Sequence, residues 1–500
     1  MRSLILLLTT TLACACGSGG RAGGLLALIS TRTATAAWAE ASGPRVTLRG
    51  DLDATDLAEI AAEIEQMIDA LEATAFEFEE RPSDRIGVLL FTRDAEYEMG
   101  APDDSDAYFL ERTEPGFEMP ASIFIQGDWE NQRRTDMRHE LVHRYVRFYY
   151  PAAPVWLNEG LATFFSTLKI RDGTITLGEP LWTGVGRSRM PTFDVLAKMS
   201  GVDFGGLERN LNETDRLRSV RANYRAAWMN VHFLMTSGGD WRRRFDVYLA
   251  ALAQGQENDA AWARGFEGVS TDDVEKAMLA HHDKMLIPTL RATVSLPAAP
   301  RIEARMLRDA EVDVIRAWYR DWDETGLPLS QRDLERAIAA EPNYADAYLW
   351  RGHLARDAKN FAAARADYRR ARELDPRSTA AMVAELDLAL TDEDLDVARV
   401  DAILADLAKL ARTPIALETV ARALVRRGKN GAALGFARRA TEGALGCVRC
   451  WRTRAEVSWS TGQTEAAVAA MDVAIRQTRR ESSRHQLEAR RAAMMLNPAK

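Results

Sequence analysis

Histidine is scarce in this chain, with seven residues in 500. Cysteine is scarcer: there are four, and two of them, Cys14 and Cys16, lie at the very start. The body of the chain keeps only Cys447 and Cys450. That CxxC falls at a helix start in a repeat-like region, without the βαβ context of a redox domain, so it reads as inert or disulfide-bonded. Zinc is not expected there, because two further ligands are missing. Long apolar runs are lacking too: the run Leu4–Leu12 is too short to span a bilayer as an ordinary helix. There is no excess of positive charge. Lys and Arg number 65 against 73 Asp and Glu, a net charge of −8, which argues against nucleic acid as a partner. The 47% hydrophobic and 28% charged content is that of a soluble globular protein, and the length predicts two or three domains.

The start, MRSLILLLTTTLACAC, reads as a targeting segment: Arg2, then the short apolar run, then small residues before Cys14. Ala13 before Cys14 is reminiscent of a lipoprotein processing site, with Cys16 after Ala15 as a second candidate for the lipid anchor. Simple secretion with cleavage after Ala39, in Ala37-Trp38-Ala39, is the competing expectation, and an uncleaved anchor the third. Each of these places the protein outside the cytoplasm, in a bacterial cell envelope or secreted.

The scarce histidines are not scattered. His139, Glu140 and His143 form an HExxH motif within Asn131–Tyr149, where Met137, Leu141, Val142, Tyr145 and Phe148 recur at helical spacing and Pro151 stops the run. Residues four apart share a helix face, so both imidazoles can point at one position. Zinc accepts imidazole nitrogen at roughly 2.0–2.1 Å in tetrahedral geometry, and a catalytic site keeps one position for water. Glu140 is rotated about 100° from His139. It therefore flanks the metal as a general base toward a water whose pKa zinc lowers to about 7. A second amphipathic helix, Val155–Ser166, is predicted after the Pro151–Pro154 turn, with Glu159 in its first turn. Packed antiparallel, it would return a carboxylate to the metal, and two His with one Glu is a catalytic zinc set. The expectation is one Zn2+ per chain, held by His139, His143 and Glu159.

HELVH followed by WLNEGLATFF resembles the gluzincin clan, and in detail the peptidase-MA-like family of bacterial envelope proteins, over roughly Arg85 to His282. The resemblance implies a zincin-like α+β catalytic domain, a small sheet plus a helical subdomain, and a zinc metallopeptidase acting on a peptide or protein substrate. Tyr224, which opens YRAAWMNVHFLMTSGG, is similar to the clan's oxyanion-stabilising Tyr, so it is expected to donate a hydrogen bond to the tetrahedral intermediate. The resemblance also implies that the strand before the metal helix, here Ser122–Gly127, is a sheet edge that binds extended substrate. The aminopeptidase GxMEN segment is absent: the corresponding region reads PGFEMPASIFIQG, with Glu118 present but not the motif.

The remaining segments frame this site. Residues 1–43 read as leader and linker, 44–130 as the N-terminal α/β part and 131–290 as the helical zinc-binding part. Leu57, Ile60, Ile64, Met67, Ile68 and Leu71 line one face of a helix within Leu52–Ala73. Ile86–Phe91 reads as a buried strand. Glycine-rich breaks near Gly184–Gly186 are candidates for the cleft rim. His232, on a helix rich in Trp228, Met229 and Met235, reads as a core or cleft-lining residue. His281 and His282 close a helix, where positive charge suits the dipole. Residues 291–324 read as a linker, and 325–500 as a tetratricopeptide-like all-α solenoid of three or four degenerate repeats. Ala345–Pro376 places Tyr348, Gly352, Ala364, Tyr368 and Ala371 at that repeat's small and aromatic positions. Ala337 precedes Ala371 by 34 residues, and Ala421, Ala433 and Ala440 precede Ala455, Ala467 and Ala474 likewise. Such a solenoid commonly offers a protein-binding groove. The rival expectation is an envelope adaptor whose solenoid does the work; a zinc hydrolase acting on something other than peptides is the third.

Overall fold

The computed structural model describes residues 37–496 except 77, 79–80, 83–84, 102–104, 115–116, 172, 182–189, 207–211, 284–286, 321–325, 392–395, 443, 445 and 479–480. The lipid-anchor candidates and the Gly184–Gly186 rim fall outside the described residues. The molecule is mostly helical, with a small mixed sheet. Its strands are β1 (Ala39–Ser42), β2 (Val46–Gly50), β3 (Ile86–Phe91), β4 (Ala107–Glu114), β5 (Phe117–Gln126), β6 (Lys169–Arg171), β7 (Thr174–Leu177), β8 (Leu290–Thr293) and β9 (Glu303–Met306). Six of them form one sheet in the order β4-β5-β3-β2-β1-β9, and β6-β7-β8 form a second. β2, β3 and β5 run parallel, while β4 is antiparallel to β5.

The six-stranded sheet is covered on both faces, which is why β3 reads as an unbroken apolar run. Successive side chains of a strand point to opposite faces. Ile86, Val88 and Leu90 of β3 join Ile123 and Ile125 of β5 under helix Ala54–Thr74 and the HExxH helix, Asn131–Tyr149. Leu89, Phe91 and Phe124 face the other way, onto Val312, Ile315, Trp318 and Tyr319. Helix Ala54–Thr74 starts at Asp53, whose side chain accepts from the amides of Thr55 and Asp56. Its buried face holds Leu57, Ile60, Ile64, Met67, Ile68 and Leu71, as its periodicity predicts.

Two segments expected to be linkers are structured. Within 1–43, Ala39–Ser42 is the strand β1, and Trp38 beside it is buried against Phe91 with ring centroids 5.6 Å apart. Within 291–324, β9 pairs antiparallel with β1, and helix Asp309–Arg320 covers the outer face of the sheet. All four residues of β9 are exposed, so that strand has no apolar pattern to read.

Helix Asp309–Arg320 also pairs with helix Leu327–Ala340 to form the first helical hairpin of the solenoid. Four more hairpins follow among the described residues, Ala345–Leu374, Thr379–Leu410, Pro414–Thr441 and Val448–Gln477, and helix Glu481–Leu496 closes the array. The solenoid thus starts before residue 325 and is longer than three or four repeats. The alanines spaced 34 apart are all fully buried between paired helices. Gly352 is needed at its contact, since a Cβ would lie 2.6 Å from Tyr368 Cε1. Cys447 and Cys450 form a disulfide at the start of Val448–Ser460. At the far end, Arg484 Nη1 donates to Glu257 Oε1 at 2.7 Å, so the array touches the helical region that follows the HExxH helix. No helix among the described residues is long and apolar enough to cross a membrane.

Two buried histidines tie this fold to pH. His232 Nε2 lies 2.9 Å from Pro288 O, and His353 Nδ1 lies 3.0 Å from Tyr368 Oη. Burial lowers the pKa of each to about 3. Below the unfolded value of about 6.5 the unfolded chain takes up protons that the folded chain refuses. Stability therefore falls as the pH drops through this window, by about 1.4 kcal/mol per pH unit per histidine. We predict a falling melting temperature from pH 6.5 down to about pH 5, with a shallower slope in His353→Gln.

Candidate metal centre

The HExxH helix has the limits its sequence predicts, and both histidines are on its buried face: His139 is 3% exposed and His143 6%. Their rings are 4.7 Å apart and nearly perpendicular. The chain turns through Pro151–Pro154, with Ala153 N donating to Tyr150 O, and returns as Val155–Ser166. Glu159 is in the second turn of that helix, not the first as expected, so it is held by packing rather than by the helix dipole.

Glu159 Oε2 lies 3.4 Å from His139 Nε2 and 3.6 Å from His143 Nε2. A tetrahedral ion with bonds of roughly 2.0–2.1 Å holds its ligand atoms about 3.4 Å apart. The three donor groups lie within 4.8 Å of one another and all are buried. Among the described residues His139 Nε2 has no hydrogen-bond partner, and neither does Glu140 Oε2, although both atoms are out of reach of solvent. Buried polar atoms are rarely left so. A dication among these donors would satisfy the first, and a water on that dication the second, so the residues present fit a zinc ion.

Glu140 is 2% exposed. Burial, then the charges of Glu159 and Asp136, push its pKa well above the ordinary carboxyl range, with a backbone hydrogen bond from Phe109 opposing them. A bound cation would act against that rise.

Two groups around the ligands were not found from sequence. Asn158 Oδ1 is 3.1 Å from His143 Nδ1. An amide oxygen only accepts, so Nδ1 carries the proton and Nε2 presents its lone pair to the metal position. Asn158 Nδ2 also donates to Glu159 Oε1 at 3.3 Å. The one signal available was its place immediately before the ligand carboxylate. Phe109 was missed because it acts through its backbone.

The structure also brings Tyr224 to the centre. It is 8% exposed, on helix Glu213–Thr236, with its ring 6.2 Å from that of His139 and edge-on to Phe204 at 5.1 Å. Gly160 makes this approach possible. A Cβ there would lie 2.5 Å from Val231 Cγ2 and 2.7 Å from Ala227 O on the Tyr224 helix.

The edge strand is not the one expected. Ser122–Gly127 contributes to β5, which is flanked by β3 and β4. The edge beside the HExxH helix is β4, and Phe109 in it reaches Glu140. Glu118 lies in β5, with its side chain outside those described. His232, His281 and His282 gather away from the ligands. His232 Nε2 and His282 Nε2 meet the carbonyl oxygens of Pro288 and Met229, and His281 Nε2 meets Thr236 Oγ1, so the three are satisfied core groups.

No protein-family model matches the chain, and no curated protein matches it. Among solved structures, a thermophilic TPR protein in Thermus thermophilus aligns at 15% identity and a TM-score of 0.29. That alignment covers 38% of this chain and all of the other.

Two outcomes follow from this geometry. Asn158→Ala should weaken zinc affinity roughly 10- to 100-fold, read by competition with a chelator. Gly160→Ala should lower stability by about 1–3 kcal/mol, read by denaturant unfolding, because the two helices must separate.

Proposed function

We propose that the chain is an exported, zinc-dependent metallopeptidase of the gluzincin type. The observation that carries this reading is the convergence of His139, His143 and Glu159 beside a buried carboxylate, Glu140, with one unpartnered oxygen. A purely structural site closes its coordination with four protein ligands and needs no such carboxylate, whereas the described residues bring together three.

Zinc bound at these three ligands would activate water and polarise the scissile carbonyl. Glu140 takes a proton from the attacking water and passes it to the leaving amine. Tyr224, beside His139, donates a hydrogen bond to the developing oxyanion. Asn158 keeps the His143 ring in one tautomer and orientation. β4, the antiparallel edge, takes an extended substrate along its backbone in place of the strand first expected.

Export has one support in the described residues, and a second observation bears on where the leader is processed. The Cys447–Cys450 disulfide suits an oxidising compartment. Cleavage after Ala39 would remove Trp38, whose carbonyl accepts from Leu307 N at 2.7 Å and whose ring packs on Phe91. That disfavours cleavage at Ala39 and suits a lipid anchor at Cys14 or Cys16, or an uncleaved anchor.

The decisive measurement is zinc content of the purified protein beside Glu159→Ala. About one zinc per chain in the parent, with a weakened or empty site in the variant, is the expected result. Glu140→Gln should then keep its zinc and lose hydrolysis of a peptide library. Absence of zinc after reconstitution, or full activity in Glu140→Gln, would remove the enzymatic reading and leave the adaptor.

A further inference from the structure

The two helices that carry the candidate zinc ligands also border a second space. Residues two apart on a helix point about 200° apart, so Leu161 faces away from Glu159. Tyr150, at the end of the HExxH helix, lies seven residues past His143, roughly 10 Å farther along the axis. Both line a cavity of about 360 Å³ that includes none of the three candidate ligands. It opens where helices Ala54–Thr74, Val155–Ser166, Glu213–Thr236 and Gly239–Ala253 come together. Phe76, Phe78 and Phe165 give it aromatic walls, with Leu161, Met235 and Leu249 between them. The walls are held from behind: Phe78 stacks on Tyr149 at 4.1 Å and Phe76 on Tyr145 at 4.8 Å.

Four polar side chains line this space, and three are committed. Thr74 Oγ1 donates to Ala70 O. Arg242 donates from Nε to Asp246 Oδ1 at 2.8 Å and from Nη1 to Met235 O at 3.2 Å, so Arg242 and Asp246 neutralise each other. The fourth is Tyr150. It is 7% exposed, and its hydroxyl has no hydrogen-bond partner among the described residues. Burial, then Tyr149 and Asp246, push its pKa above the ordinary phenol value, with Arg242 opposing, so it stays a donor. Buried polar groups are rarely left without a partner. The cavity is thus apolar, balanced in charge, and furnished with one unused donor.

We propose that this cavity binds a small, uncharged aromatic molecule carrying one acceptor oxygen, such as a ketone, ester or amide carbonyl. Its ring packs among Phe76, Phe78 and Phe165, where offset and edge-on contacts are available. Its oxygen accepts from the Tyr150 hydroxyl. A net charge on the ligand would be desolvated without gain, because the one ion pair in the wall is already balanced. The volume lies within the roughly 300–1,000 Å³ of small-molecule sites. This inference does not rest on the metal centre and holds for the peptidase and the adaptor alike.

The test is a ligand-observed NMR titration of the full chain with acetophenone, ethylbenzene and benzoate, which share a ring and differ in the acceptor and the charge. Acetophenone should bind most tightly of the three. Tyr150→Phe keeps the ring and removes the donor, so it should weaken acetophenone roughly fivefold and leave ethylbenzene unchanged. Ala250 lines the cavity at an exposed position, and Ala250→Trp should block all binding. An unchanged melting temperature would show that each variant is folded. Binding of none of the three to the parent would overturn the site, as would acetophenone binding kept in Ala250→Trp. Benzoate binding more tightly than acetophenone, or equal acetophenone affinity in Tyr150→Phe, would overturn the ligand class. None of these readouts uses zinc or hydrolysis, so the outcome stands apart from the fate of the peptidase reading.

Discussion

Two helices at the heart of the molecule touch at a residue with no side chain. Gly160 follows Glu159 in sequence and lies against the backbone of the helix that carries Tyr224. That contact sets the depth of Val155–Ser166, and with it the height at which the Glu159 carboxylate meets the two histidines. It also sets how near Tyr224 comes to His139. The candidate ligand Glu159, its neighbour Asn158 and Tyr224 thus share one geometric constraint, imposed by close helix packing rather than by any polar bond.

Burial means different things in the two halves of the chain. In the solenoid the buried acids Glu385, Asp387 and Glu418 are each met by arginines: Arg372 and Arg399 on the first, Arg422 and Arg449 on the others. These acids are ion-paired, although Glu418 Oε2 and Arg422 Nε have no hydrogen-bond partner among the described residues. At the candidate metal centre, His139 Nε2 and Glu140 Oε2 are left open. What sets the candidate metal centre apart is that no arginine or lysine pairs with Glu140 among the described residues, and the charges acting on it are those of Glu159 and Asp136.

Much of this was legible in the sequence, for definite reasons. The HExxH and Glu159 helices have strong periodicity and a proline break, so their limits and their shared face could be read. The buried alanines of the solenoid announced themselves by a fixed period. What escaped did so because its signal is not in side-chain pattern. β9 is exposed along its whole length and is defined by its pairing with β1 alone. The order of β4 and β5 in the sheet follows from strand pairing, which no local run encodes. Helix Asp309–Arg320 is strongly amphipathic, yet it follows a proline-rich stretch that reads as linker and masks its start. Phe109 meets Glu140 through its backbone, which is the same in every non-proline residue.

Helix Asp309–Arg320 belongs to both parts of the molecule at once. One side rests on the sheet through Trp318 and Tyr319, with the Tyr319 hydroxyl donating to Tyr97 O, and the other side is half of the first hairpin. Tyr319 packs on Phe124, which stacks on Tyr108 of β4, the strand whose next residue reaches Glu140. A shared wall of this kind admits no hinge. The halves are not interchangeable modules: a cut before the helix bares the sheet, and a cut after it strips the helix of its partner. A load placed on the array is borne as shear across the aromatic stack, one residue away from the backbone contact on Glu140.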